Sequence, residues 1–209
     1  VTLGEYISMF LNGCKNGKGL NHSKIEIPGN GCRDFINRGG NWFDLYKFCI
    51  SEDGQLNGIK PTRIDAAIDV RTNEYFDFDT LRKYLILEGS WSSPLRDVTE
   101  TRSQRKLKDK LHLKGNTIYL GSMSSNVYLC IYDKNLERIQ AGDDTPMLDE
   151  CWYRIEIRFR DEQAQWFLSE FINTEDRQDY SFIMNALYKV LDIKKLDSNC
   201  KTMRDRDTV

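Results

Sequence analysis

The chain has 209 residues and a formal net charge of −2 at pH 7, with 40% hydrophobic and 30% charged residues. This composition is typical of a globular protein with one large domain or two small ones. No apolar run approaches the roughly 20 residues that a bilayer-spanning segment needs, so no such segment is expected. The near-neutral charge excludes a protein that is basic over its whole surface, so any nucleic-acid binding must depend on local charge.

Cysteine spacing and the chain ends add two expectations. The six cysteines include no Cys-x-x-Cys pair, and neither histidine stands near a cysteine at zinc spacing. A structural zinc site is therefore not expected, and reduced thiols of a cytoplasmic protein are the simpler interpretation. The chain starts at Val1 and ends in a polar tail, residues 196–209. We expect a fragment of a longer protein in which residues 1–195 form a single domain.

The first part of the chain predicts a short strand and a helix. An apolar stretch, 6–11, precedes a turn rich in glycine, asparagine and lysine. Residues 24–27 alternate as a strand does, and Pro28-Gly29-Asn30-Gly31 is predicted to end that strand in a turn. Apolar positions between Asn41 and Ile50 fit a helix, which the turn at 52–54 is expected to stop.

The rest of the chain mixes strands and helices. Residues 62–70 predict a strand, and residues 78–87 predict a helix with Asp79 as its N-cap. Three more strands and then two helices are expected, at 117–121, 127–132, 152–159, 161–173 and 179–190. This order with short connections predicts an α+β fold, a central antiparallel sheet with helices packed on one face.

A basic segment lies before the last three predicted strands. Between Thr101 and Lys114 six cations stand against Asp109 alone: Arg102, Arg105, Lys106, Lys108, Lys110 and Lys114. A solvated loop or hairpin is the ordinary explanation of such a charge run. Contact with a DNA backbone is the alternative, and it depends on the residues that follow.

Three predicted strands each have one apolar face and one face that carries functional groups, because side chains two residues apart share a face. If the strands share a sheet, six polar side chains gather on one surface: Asp65, Asp69, Tyr132, Lys134, Arg154 and Glu156. A sheet with one solvated face explains the same alternation without any function. The chemical types favour a site, since carboxylates, a phenol and cations are what metal-assisted phosphoryl transfer uses.

Chemical roles follow from these types. The carboxylates of Asp65, Asp69 and Glu156 suit a hard divalent cation, Mg²⁺ or Mn²⁺. A tyrosine oxygen has a free pKa of about 10, so a tyrosine nucleophile needs a nearby cation or base. Lys134, expected to continue the strand on the same face, would lower that pKa or neutralise the phosphate. Two arginines would hold phosphate oxygens by paired hydrogen bonds: Arg154 and Arg158.

Four motifs, in this order, resemble those of the replication initiation factor family: Pro61–Asp69, Gly115–Ser122, Tyr128–Lys134 and Trp152–Ile157. The family comprises initiators of staphylococcal-type rolling-circle plasmids and related relaxases of integrative conjugative elements. The segment Ile25–Arg33 also resembles a Gly-x-Gly-Cys-Arg segment of the conjugative-element branch. The resemblance covers roughly residues 24–160.

The resemblance implies a mechanism and a catalytic role for the domain. Family members nick one strand of an origin hairpin, become joined through a tyrosine to the 5′ phosphate, and leave a 3′ hydroxyl. The nucleophile corresponds to Tyr132 in the Ile-Tyr-x-Lys motif, and the metal-binding residues correspond to Asp65, Asp69 and Glu156. Only the resemblance selects Tyr132, because strand alternation leaves neighbouring tyrosines open.

The implied partner is origin DNA, as a hairpin or a single-stranded nick site, with no membrane. A host helicase and a second copy of the chain are further candidates. Two other functions remain open from the residues: a non-catalytic origin-DNA-binding module that uses residues 96–114, and an unrelated hydrolase with paired carboxylates, as in glycosidases. A covalent DNA adduct at Tyr132 separates nicking from mere binding, and an aromatic-lined sugar cleft would mark the hydrolase.

Overall fold

The computed structural model describes these parts of the chain: residues 2–3, 6–15, 21–71, 77–107, 110–142, 151–174 and 181–194. The contacts divide the chain into two compact units, residues 1–59 and residues 60–209. One catalytic domain over residues 1–195 stays a prediction, and the predicted tail at 196–209 lies outside the described residues.

The first unit contains a small antiparallel sheet and three helices. Its strands are β1 (Thr2–Leu3), β2 (Ile7–Lys15) and β3 (Asn21–Glu26), and they pair in the order β1-β2-β3. Its helices are α1 (Gly29–Asn37), α2 (Trp42–Ile50) and α3 (Glu52–Leu56). The predicted strand at 24–27 and the predicted helix at 41–50 are confirmed as parts of β3 and α2.

Two predicted turns in this unit are helical instead, although β3 and α2 end before them as the sequence predicts. The glycine-rich residues 29–31 form the first turn of α1 instead of a loop. Gly31 is buried there, where a Cβ would lie 3.1 Å from Pro28 Cδ, so the glycine permits close packing rather than a turn. Residues 52–54 begin α3, because the Ser51 side chain accepts a hydrogen bond from the Gly54 amide at 3.1 Å and caps a new helix.

The second unit is built on a five-stranded antiparallel sheet. Its strands are β4 (Arg63–Val70), β6 (Val98–Leu107), β7 (Lys110–Leu120), β8 (Val127–Asp133) and β9 (Tyr153–Arg160). They lie in the order β4-β9-β8-β7-β6, and a separate short pair joins β5 (Trp91–Ser92) to β10 (Asp192–Ile193). The helices are α4 (Phe78–Arg82) with a π-helical continuation (Lys83–Leu87), α5 (Lys134–Gln140), α6 (Asp161–Asn173) and α7 (Ser181–Val190).

The apolar face of this sheet is covered by helices. In β9, buried side chains alternate with half-buried ones, as period-2 patterning requires. The core joins strand residues to helix residues: Ile118, Ile131, Ile157, Leu81, Phe167 and Leu187. The prediction of an α+β fold with helices on one face of a central antiparallel sheet is therefore confirmed.

Two helix starts in this unit differ from prediction. The N-cap of α4 is Asp77, not Asp79, because Asp77 Oδ1 accepts a hydrogen bond from the Thr80 amide at 2.6 Å. Lys134 does not continue β8 but begins α5. The strand ends because the Asp133 side chain caps the new helix, accepting from the Leu136 amide at 2.9 Å.

The basic segment lies in the hairpin of β6 and β7, so the predicted hairpin is confirmed, and its contact with a DNA backbone stays a prediction. Residues 108–109 at its tip lie outside the described residues. Within the part of the chain that the structure describes, no helix combines the length and the apolar character needed to span a membrane.

Candidate active site

The register of β9, which lies between β4 and β8, decides which predicted residues meet. Arg154 lies opposite Asp69 of β4 and opposite Tyr132 of β8. Glu156 is two residues further along β9 and shares the face of Arg154. Five of the predicted residues therefore lie on the sheet face opposite the helical layer, as strand alternation predicts: Asp65, Asp69, Tyr132, Arg154 and Glu156.

Tyr132 is already in contact with a carboxylate. Its hydroxyl donates a hydrogen bond to Glu156 Oε1 at 2.7 Å. Burial, and then the hydrogen bond and charge of Glu156, raise the pKa of Tyr132, while the charge of Arg154 acts in the opposite direction. The phenol is thus held in its protonated form, with an acceptor for its proton in place.

Lys134 lies beside Tyr132, although not as the strand residue that the sequence predicts. Its Nζ is 5.6 Å from the centroid of the Tyr132 ring and donates a hydrogen bond to Glu137 at 2.6 Å. The expectation that Lys134 would bring the pKa of Tyr132 below its ordinary value is not met. The pKa lies above that value, with burial as the largest cause and Glu137 adding to the rise.

Both aspartates of β4 are held by arginines. Arg154 donates from Nε and Nη2 to the two carboxylate oxygens of Asp69, each at 2.7 Å. Arg158 and Arg63 hold Asp65 in a similar way, with Arg158 Nη2 and Arg63 Nε each 2.8 Å from a carboxylate oxygen. Burial acts to raise the pKa of each aspartate, but the arginine contacts, together with the Trp152 side chain at Asp69, outweigh it and lower both pKa values.

The predicted metal ligands fit a hard cation by type and register rather than by their present contacts. Within the described residues, no three His, Cys, Asp or Glu side chains are arranged to hold a metal ion. Glu156 lies opposite Ala67, between Asp65 and Asp69, and all three carboxylates offer the oxygen ligands that Mg²⁺ prefers. Metal binding by this set would therefore require these side chains to move from their present contacts.

Tyr128, which shares the face of Tyr132, is engaged differently. It is 2% exposed, and its hydroxyl accepts a hydrogen bond from Arg158 Nη1. The Arg158 guanidinium also lies 4.8 Å from the Tyr128 ring centroid. Because Tyr128 is almost fully buried, its environment suits packing rather than attack on a phosphate of a bound strand.

A cavity of about 200 Å³ adjoins Tyr132 on the same face. It lies among β6, β7, β8 and α5, and its walls carry hydroxyl, amide and carboxylate groups: Thr101, Ser103, Thr117, Asp133, Glu137 and Gln140. Gly115 gives room to α5, because a Cβ at that position would lie 3.1 Å from Gln140 Nε2. Sequence reasoning missed this cavity because it did not predict α5.

Comparisons with known proteins find one family and one curated relative of related description. The family model described as "Replication initiation factor" matches residues 59–208. The putative DNA relaxase NicK of Bacillus subtilis (strain 168) is 33% identical over 178 residues, which is 82% of this chain and 47% of the relative. The chain thus spans about half the length of this curated relative.

A solved structure has the same fold. The rolling circle replication initiator protein from Geobacillus stearothermophilus matches with a TM-score of 0.74, over 97% of this chain and 69% of that chain. The sequence identity is 20%, so this likeness shows the fold and no more.

Proposed function

The chain belongs to the replication initiation factor family, and from this premise we propose that it nicks one strand of origin DNA through Tyr132. The product would be a DNA 5′ phosphate joined to the tyrosine and a free 3′ hydroxyl. The observation that carries the proposal is the hydrogen bond from the Tyr132 hydroxyl to Glu156 on a sheet face that also bears cations. The name of the relative that is 33% identical, a putative DNA relaxase, agrees with it.

In the proposed reaction, Glu156 acts as the general base. Tyr132 Oη attacks the scissile phosphorus, its proton passes to Glu156 Oε1, and the bond from phosphorus to the 3′ oxygen breaks. The leaving 3′ oxygen takes a proton from water. In the joining direction a 3′ hydroxyl attacks the phosphotyrosine and gives its proton to hydroxide. The bond from phosphorus to Tyr132 Oη then breaks, and Tyr132 regains its proton from Glu156. The short contact between these two side chains supports the proton transfer, since it lies within hydrogen-bond reach.

The proposed metal site consists of Asp65, Asp69 and Glu156. A bound Mg²⁺ or Mn²⁺ would supply Lewis-acid polarisation of the scissile phosphate. The carboxylates would hold it after the arginines have moved to the phosphate oxygens, with which a guanidinium can form the same paired hydrogen bonds. Arg154 is the best placed for this exchange because it lies opposite both Asp69 and Tyr132.

Lys134 has a proposed electrostatic role. Its Nζ stays near the Tyr132 ring, held by Glu137. When the anionic scissile phosphate reaches Tyr132, this cation would offset its charge. A host helicase, a second copy of the chain and a cytoplasmic location stay predictions.

The test is formation of a covalent adduct. The protein is incubated with a labelled library of single-stranded hairpins and Mn²⁺ or Mg²⁺, and SDS-stable protein–DNA bands are measured. We expect a band that disappears in Tyr132→Phe and with EDTA. Tyr128→Phe is the matched control, because it removes a hydroxyl from the same strand and face, and it should keep the band.

Two other outcomes would change the proposal. DNA binding on a native gel without any adduct would favour the non-catalytic origin-binding module, in which the arginine-paired aspartates are structural. An adduct that survives in Tyr132→Phe would keep the reaction class and refute the choice of nucleophile.

A further inference from the structure

Two arginines lie over one tryptophan at the end of the polar sheet face. Arg71 Cζ is 4.1 Å from the centroid of the Trp152 ring, and Arg138 Cζ is 5.0 Å from it. We call Arg71, Trp152 and Arg138 the Arg–Trp–Arg cluster. None of the three was predicted as a site residue from the sequence.

The cluster continues the face that carries Tyr132. Val70 pairs with Tyr153 at the end of β4 and β9, so Arg71 and Trp152 follow one step beyond the last paired residues. Arg71 is two residues after Asp69, and Trp152 is two residues before Arg154. Because residues two apart in a strand share a face, both lie on the face that carries Tyr132.

The third member is tied to the same end through α5. The Trp152 carbonyl oxygen accepts a hydrogen bond from the Lys134 amide at 2.9 Å, which joins the tryptophan to the start of α5. Arg138 is four residues after Lys134, so the two side chains lie on one side of that helix. Four cations from the end of β4, from β9 and from α5 therefore lie at this end of the site face: Arg71, Arg154, Lys134 and Arg138.

We propose that the Arg–Trp–Arg cluster binds backbone phosphates of single-stranded DNA beside the nicked position, an inference that rests on the proposed function. A guanidinium stacked on an indole uses its flat face, whereas phosphate oxygens bind to its N–H edge. Contact with the indole would leave the N–H edges of both guanidinium groups to exchange their present partners for phosphate oxygens. A strand whose scissile phosphate lies at Tyr132 would pass the cluster, because the cluster lies on the same face at the end of the same strands.

Salt dependence of binding measures this contact directly. The Tyr132→Phe protein, which lacks the proposed nucleophile, is titrated into a fluorescent single-stranded oligodeoxynucleotide at several KCl concentrations. Each phosphate contact on a single strand adds about 0.7 to the slope of log K against log salt. We expect Arg71→Gln and Arg138→Gln each to reduce the slope by about 0.7, and the double variant to reduce it by about twice as much.

Lys189→Gln is the matched control. Lys189 Nζ also lies over a tryptophan, 5.8 Å from the Trp166 ring, but α6 and α7 pack on the opposite, apolar face of the sheet. This variant should bind with an unchanged slope. Slopes for Arg71→Gln and Arg138→Gln that equal the Lys189→Gln slope would overturn the proposal.

A double-mutant cycle separates phosphate binding from a merely structural role. Single linkages of the oligonucleotide are replaced in turn by neutral methylphosphonate. At one or two linkages, the loss should not add to the loss from Arg71→Gln or Arg138→Gln, because both changes remove the same contact. Additive losses at every linkage would refute the phosphate contact.

These assays need no cleavage, so the two proposals fail separately. If the salt slope falls in Arg71→Gln and Arg138→Gln but no SDS-stable adduct forms, nicking is refuted and the cluster stays a DNA contact. An adduct together with unchanged slopes would refute the cluster alone.

Discussion

Replacing Glu156 with glutamine tests the pairing on which the proposed chemistry depends. Glu156→Gln keeps the size of the side chain and an acceptor oxygen but removes the negative charge. Burial is the largest cause of the raised pKa of Tyr132, and Glu156 is the second, through its hydrogen bond and its charge. The pKa of Tyr132 should therefore fall in Glu156→Gln but stay above the ordinary value of about 10. Each unit of that fall corresponds to about 1.36 kcal/mol of interaction with the phenolate.

The same change removes the proposed base and one of the three proposed metal ligands. Loss of a general base typically costs about 10²–10⁴-fold in rate, so adduct formation by Glu156→Gln should slow by at least about 10²-fold. The prediction links two effects of opposite sign, an easier ionisation of Tyr132 and a slower reaction.

Ultraviolet difference titration measures the pKa. The chain has 10 tyrosines, so each spectrum is corrected by subtracting that of the matching protein with Tyr132→Phe. Single-turnover adduct formation measures the rate. A Tyr132 pKa that is unchanged or higher in Glu156→Gln would refute the hydrogen bond as the cause, and an unchanged rate would refute Glu156 as the base.

Three further predictions concern stability. Asp65→Asn should reduce the loss of folding stability in acid. The lowered pKa of Asp65 contributes stability above its unfolded value of about 3.9, and that stability is lost as pH falls through the folded pKa. Urea unfolding at pH 3 to 7 measures the free energy, and the same decline in acid as in the unchanged protein would contradict the prediction. Ile157→Ala should cost about 2–5 kcal/mol, because Ile157 has no exposed surface; a loss below 1 kcal/mol would contradict the described core. Asp77→Ala should lower folding stability by about 1 kcal/mol through loss of the α4 N-cap, whereas Asp79→Ala should change stability little. Thermal unfolding of the two variants compares them, and equal effects would contradict Asp77 as the cap.

Strand alternation was sufficient to place the site face. Period-2 patterns in β4, β8 and β9 separate apolar from polar residues, and that parity holds whatever the neighbouring strand is. The partners on the face were not predictable in the same way. Asp69 meets Arg154 and Asp65 meets Arg158 only because of the register between β4 and β9, which depends on the packing of the whole sheet.

The alternation of apolar and polar residues did not predict helix α5. The strand pattern through Tyr132 and Lys134 continues in the sequence, although the chain turns helical at Asp133. Asp133 is a good N-cap, but a helix of seven residues has too few apolar positions for a 3.6-residue period to be visible. The cavity beside Tyr132 and the position of Arg138 over Trp152 both depend on this helix and were therefore missed.

Glycine and proline were misleading in the first unit for a related reason. Pro28 and Gly29 resemble the punctuation of a turn, but proline also suits the start of a helix. The buried contact of Gly31 with Pro28, which decides the matter, is a packing feature that no local pattern contains.

The site of covalent attachment tests the central claim most directly. The SDS-stable adduct is digested with nuclease and trypsin, which leaves a nucleotide on a peptide of residues 115–134 that includes Tyr119, Tyr128 and Tyr132. Fragment ions from mass spectrometry then locate the added mass. We predict that the nucleotide lies on Tyr132, and attachment at Tyr119 or Tyr128 would contradict the account of this site.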